Sequence, residues 1–191
     1  MNTAFIGLDY IVDIMHPAGK VARSAQQATS RGVISKANAA LALAKSNGWL
    51  SVLVKVGFHA GYHELPASSP MFGKAKEFGA LALGQPGTDF HPDLSSDLAD
   101  FVLTKPRISA FYGTPLEPLL RARKVDRLVL AGVSTAWAVQ ALAREAHDRD
   151  YAVDILEEAC AAATAEEHET SIDLLRSIAR IVSLEELNNT N

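Results

Sequence analysis

Six short runs rich in apolar and β-branched residues, "AFIGLD", "LSVLVKVGF", "ADFVLTK", "DRLVLAGV", "YAVDILEEA" and "RIVSLEEL", alternate with segments of helical period. Consecutive strands joined through a helix run parallel, because the crossover returns the chain to the same end of the sheet. The alternation therefore predicts an α/β protein: a three-layer α/β/α sandwich around a mostly parallel sheet of about six strands. The first run, Ala4–Asp9, is almost wholly apolar, as a central strand covered on both faces must be. In "VISKANAALALAKSNGW", Ile34, Ala37, Leu41 and Ala44 recur at helical spacing and Asn47-Gly48 supplies a stop. "TPLEPLLRARKV" and "TAWAVQALAREAHDRD" read as two further helices, and Thr164 with Glu167 reads as a capping box opening a third.

Residues 57–98 interrupt this rhythm with four Pro, several Gly and one short helical candidate, "FGKAKEFGA". An excursion of this length is usually functional, so it is expected to cap a ligand pocket or to meet another subunit. The chain of 191 residues is long enough for one core, and a single domain over 1–191 is expected. A formal charge of −4 and the lack of any long run of like charge give no footprint for nucleic acid or an anionic membrane. No apolar stretch is long enough to span a bilayer, and "MNTAFIGLDYIVDIM" lacks the basic start of a signal peptide. Cys160 is the single cysteine, so no intrachain disulfide forms and a cytoplasmic setting is expected.

Ligands of open α/β sheets bind beyond the carboxyl ends of the strands. Three polar features fall on that edge: Asp9, Lys105 and the pair Ser134-Thr135. The Asp9 carboxylate follows a largely apolar run, where an unpaired charge is costly; it is either a structural ion pair or an acid or base tuned by a cation. Lys105, held extended by Pro106, is either that cation or a solvated strand-end lysine. Ser134 or Thr135 reads as a helix N-cap, and the amides of the turn Gly132–Ala138 as a cradle for a carbonyl or carboxylate oxygen. "GVSTA" lacks the second glycine of a nucleophile elbow, which argues against a Ser-His-Asp triad. Phe58, Tyr62, Phe111, Tyr112 and Trp137 are either walls of a small-molecule pocket or core and interface residues. His59 and His63 lie in a loop broken by Gly and Pro, while His147 and His168 fall on helix faces read as solvated; neither a metal nor a cofactor is expected.

The stretches "FIGLDYIVD", "KPRISAFYGTPLEPLLRARKVDRLVLAGVSTAWAVQALAREAHDRDY" and "DILEEACAAATAEEHETSIDLL" together resemble the isochorismatase-like hydrolase superfamily over nearly the whole chain. The resemblance implies a Rossmann-like sandwich, a homodimer or homotetramer, and a small-molecule substrate. It also implies a cis peptide between Val133 and Ser134, with an oxyanion hole of amides near Ala138. Amidase-type members use an Asp-Lys-Cys triad; Asp9 and Lys105 match its first two members, and the nucleophile position falls on Ala138. Ser134 and Trp137 then join the substrate-binding set. Gly57-Phe58-His59 stands where metal-dependent members carry Asp-x-His, Ile11 replaces a common Gln, and Cys160 matches a structural cysteine. The expectation is hydrolysis by Asp9 and Lys105 acid–base chemistry, as in members that cleave vinyl ethers. The alternatives are a non-catalytic small-molecule-binding pseudoenzyme and a Cys-to-Ala variant of an amidohydrolase.

Overall fold

The computed structural model describes residues 1–189. Six strands, β1 (Thr3–Leu8), β2 (Leu50–Val56), β3 (Phe101–Lys105), β4 (Arg127–Val133), β5 (Ala152–Ala161) and β6 (Arg180–Val182), form one sheet in the order β3-β2-β1-β4-β5-β6. Every neighbouring pair is parallel, so the sheet is wholly rather than mostly so. Helices α1 (Val12–Met15), α2 (Ala25–Ser30), α3 (Val33–Ser46), α4 (Ala75–Phe78), α5 (Leu116–Ala122), α6 (Gln140–His147), α7 (Ala165–Leu175) and α8 (Leu184–Asn189) make the connections. No helix among the described residues is long and apolar enough to cross a membrane.

Burial explains the strand sequences. Every residue of the central strands β1 and β4 is buried, which is why both read as unbroken apolar runs. At the sheet edge, β3 exposes Phe101, Val102 and Thr104 and buries Leu103 and Lys105. Helix α3 buries Val33, Ala37, Ala40, Leu41 and Ala44, and this mostly alanine stripe lets it lie close against β1, β2 and β5. Gly132 is required by close approach: its φ is +151°, and a Cβ there would stand 2.5 Å from the Leu8 carbonyl oxygen of β1.

The cap of α7 differs from a full capping box in one bond. The Thr164 hydroxyl accepts from Glu167 N at 3.0 Å, but Glu167 Oε2 accepts from Ala163 N at 2.9 Å, one residue ahead of the cap.

Residues 57–98 form a loop-rich layer with a small core of their own, in which Phe58, Phe72, Ala75, Ala80 and Leu81 pack with Ile11 and Val56. Asp13 ties this layer to the main body. Its buried carboxylate accepts from Lys20 N at 3.0 Å and from Leu81 N at 2.7 Å, with Gly87 packed directly on it. The Lys20 ammonium adds a second tether, donating to Gly79 O at 2.6 Å.

Candidate active site

Strand order reverses at β1, which has β2 on one side and β4 on the other. Connections leave such a point in opposite directions and open a crevice beyond the strand ends. Asp9 stands there, immediately after β1, with φ +56°. Its amide donates to Val54 O at 2.8 Å and its Oδ1 accepts from Val56 N at 2.7 Å, so β2 fixes both backbone and side chain. Lys105 ends β3, two strands away, and reaches across β2 to place Nζ 2.7 Å from Asp9 Oδ2. Its remaining donors go to Ile108 O at 2.9 Å and Arg107 O at 3.3 Å. All three ammonium protons are thus used within the protein, whereas the carboxylate keeps lone pairs for a ligand. Lys105 is 1% exposed and Asp9 3%, which decides against a solvated lysine. Burial pushes the Asp9 carboxyl above its ordinary value; the Lys105 charge and the hydrogen bonds from Lys105 and Val56 pull it back.

A cavity of about 690 Å³ opens on this pair, and Ser134, Trp137 and Ala138 share its wall. The 57–98 layer covers it with Met71, Phe72, Phe78 and Leu81, which meets the expectation that this segment caps a pocket. Trp137 is half-exposed and also lines a neighbouring open groove with Tyr112 and Arg107.

The turn after β4 carries the expected cis peptide between Val133 and Ser134. Ser134 is the N-cap, its Oγ accepting from Ala136 N at 3.2 Å. Beyond it the chain makes a π-helical turn, Thr135–Val139, with Val139 N donating to Ser134 O at 3.3 Å, and then continues into α6. Thr135 points the other way, fully buried, with Oγ1 2.8 Å from His168 Nδ1.

The placement of His168 corrects the reading of a solvated residue. It is buried on α7, with Nε2 3.4 Å from Glu157 Oε1, and Arg31 Nη2 lies 3.8 Å from the same oxygen. Burial lowers its proton affinity, so the ring is neutral, accepting from the Thr135 hydroxyl and donating toward Glu157. Thr135, His168 and Glu157 share the bonding order of a hydrolase triad, but Thr135 is off the cavity wall, and the chain of bonds braces the turn instead.

Three of the five aromatic candidates also require correction, since Phe58, Tyr62 and Phe111 lie off the cavity wall. Phe58 bridges to Ala82, which turns its ring inward against Phe72 at 5.6 Å. The Tyr62 hydroxyl donates to Ala80 O at 2.8 Å within the covering layer. Phe111 stacks on Tyr151 at 6.3 Å under the Arg149 guanidinium. Tyr112 lines only the open groove, leaving Trp137 as the aromatic candidate on the cavity.

Cys160 donates to Leu156 O at 3.3 Å, and burial pushes its thiol up to about 12, which suits a structural residue. In Gly57-Phe58-His59 only His59 has a ligating side chain, and it pairs with Glu64 at 2.7 Å. No group of three or more His, Cys, Asp or Glu among the described residues converges as a metal site would, so these residues do not fit one. Arg23, Ser24 and Lys74 also line the cavity, although the irregular segments that carry them offer no periodicity from which this is readable.

The isochorismatase domain family matches residues 3–186. The isochorismatase family protein YecD of Escherichia coli O157:H7 is 34% identical over 165 residues, 84% of each chain. The ureidoacrylate amidohydrolase RutB of Klebsiella pneumoniae is 32% identical over 143 residues, 68% of this chain and 60% of its own. Among solved structures, an isochorismatase family protein from Desulfovibrio vulgaris superposes with a TM-score of 0.87 at 26% identity, covering 98% of this chain and 97% of that one. A pyrazinamidase/nicotinamidase from Streptococcus mutans superposes at 0.79 with 28% identity, covering 94% and 99%.

Proposed function

The chain belongs to the isochorismatase family, and from that premise we propose that it hydrolyses a small molecule by Asp9 acid–base chemistry, supported by Lys105, without a covalent intermediate. The observation that carries the reading is an intact, buried Asp9–Lys105 pair facing a cavity whose wall holds Ala138 and no cysteine. Asp-Lys-Cys chemistry needs a thiolate to attack a carbonyl, and the side chain at 138 is a methyl group.

In this reading the substrate is a vinyl ether or a related compound. Asp9 in its neutral form donates its proton to the alkene carbon, giving an oxocarbenium ion. Water adds to that ion and returns a proton to the Asp9 carboxylate. The hemiketal then collapses to a ketone and an alcohol, so atoms and charge balance. Burial favours the neutral acid before the transfer, and Lys105 stabilises the carboxylate just after it. Ser134, which lines the cavity, and the half-exposed Trp137 ring orient the substrate.

The test is a turnover screen of vinyl ethers, linear amides and small cyclic amides with wild type, Asp9→Asn and Lys105→Ala. Turnover that disappears in both variants is the expected result. A ligand that binds in the cavity without any member of the screen turning over would overturn the hydrolase reading in favour of a small-molecule binder.

A further inference from the structure

The Lys105 ammonium spends its protons on Asp9, Ile108 and Arg107, so the cations free to meet a ligand stand on the other walls of the cavity. Arg23 and Lys74 line the same cavity and are exposed, standing where it opens to solvent. They come from different segments: Arg23 from the loop before α2, Lys74 from the covering layer. Neither side chain has an ion-pair or hydrogen-bond partner among the described residues. Ser24 adjoins Arg23 on the same wall, and as the residue before α2 its side chain makes no capping hydrogen bond. Its hydroxyl is therefore free to donate to a ligand oxygen. One carboxylate, Glu167, opposes the two cations, and its Oε2 is engaged by Ala163 N. Most of the remaining wall is apolar, including Val21, Val56, Met71, Leu81 and Ile108.

We infer that the cavity takes a molecule with an apolar body and a carboxylate end, the carboxylate held between Arg23 and Lys74 with Ser24 as a further donor. A guanidinium matches a planar carboxylate with two parallel N–H donors, while an ammonium supplies a point charge. The anion also relieves the repulsion between two like charges that share one cavity. This names the substrate class of the proposed hydrolysis, and rests on that reading only for the claim that the bound molecule is a substrate.

The test uses a non-hydrolysable pair of probes, 3-phenylpropanoate and 3-phenylpropan-1-ol, titrated calorimetrically into the full chain. The carboxylate is expected to bind about tenfold more tightly, and raising the salt should shrink the difference, because exposed cations are screened. In Arg23→Gln/Lys74→Gln the preference should fall to parity or reverse, since a carboxylate is harder to dehydrate than a hydroxyl. Ser24→Ala should weaken the carboxylate and leave the alcohol unchanged. Both exchanged cations are exposed, so the double variant should retain the wild-type melting temperature. Asp9→Asn, which tests the hydrolase reading, should keep the carboxylate preference. Equal binding of both probes to wild type, or a preference that survives the double variant, would overturn the inference while leaving the hydrolase reading standing. Carboxylate preference without turnover of any substrate would do the reverse.

Discussion

Asp9 Oδ2 and Lys105 Nζ lie 2.7 Å apart although β2 separates the strands that carry them. Val56 N of that intervening strand donates to the other carboxylate oxygen, so one aspartate joins the ends of β1, β2 and β3. The side chain that faces the cavity therefore also ties three strand ends together.

Lys105→Met tests this coupling. Removing one partner of a buried ion pair costs about 3–5 kcal/mol, and a carboxyl can limit the loss by taking a proton. Burial already holds Asp9 above its ordinary value of 3.8, and losing Lys105 removes the largest opposing influence. A group whose folded-state pKa is raised favours folding most below its unfolded value, and this contribution is lost as pH rises through the folded value. Lys105→Met should therefore be nearest to wild type at pH 4 and furthest from it at pH 8 in urea midpoints. Parallel curves would show that Asp9 stays charged without its cation.

Ala138→Cys asks whether the turn still presents position 138 to the cavity. Ala138 and Lys105 line the same cavity, and a positive charge nearby favours a thiolate. Cys160 serves as the internal control, since its thiol is buried and pushed up to about 12. Folded Ala138→Cys should take up one equivalent of iodoacetamide at pH 8, mapped to residue 138 by mass spectrometry, and wild type essentially none. Labelling of Cys160 in the folded variant would instead mean that the exchange had loosened the core.

The sequence reached Asp9, Lys105 and Ser134 because the carboxyl ends of parallel strands are placed by the sheet itself. Ala138 became meaningful only through the family resemblance, since nothing in an alanine announces a vacant nucleophile position. Loop aromatics failed for the converse reason: the direction of Phe58 depends on its bridge to Ala82, and that of Phe111 on Tyr151, neither of which has a period. His168 was readable. With Ser171, Ile172 and Leu175 it recurs at helical spacing, and those four are the buried residues of α7. Its polarity suggested solvent, whereas Thr135 and Glu157 satisfy the ring inside.

Thr135→Val should show what that buried link contributes. The exchange preserves shape but leaves His168 Nδ1 without a donor, a loss of about 1–3 kcal/mol visible as a lower melting temperature. The pH dependence is a separate readout. Burial depresses the folded-state pKa of His168 below its ordinary 6.5, against the pull of Glu157 and Glu169 and with the push of Arg31. Such a group supports folding above 6.5, and the support is lost as pH falls through the depressed value. Wild type should lose stability over that acid range more steeply than His168→Gln. Equal slopes would mean that the ring accepts its proton as easily folded as unfolded.

Gly132→Ala concerns the backbone beneath the site. The new Cβ would lie 2.5 Å from both Leu8 Cβ and Leu8 O, and 2.9 Å from Leu8 Cα. Strand β1 cannot retreat without opening the Leu8–Gly132 register, and Leu8 immediately precedes Asp9. Steric conflict and the unfavourable φ act together, so a loss above about 4 kcal/mol is expected, the range reserved for core disruption. Gly48→Ala is the matched control, with φ +65° but nothing within 4 Å of its added Cβ. It should cost about 1 kcal/mol, the backbone penalty alone. Urea denaturation of both variants separates the two causes: similar losses would assign the requirement at 132 to dihedral preference, and a large excess at 132 to the close approach of β1 and β4 that sets Asp9 beside the turn.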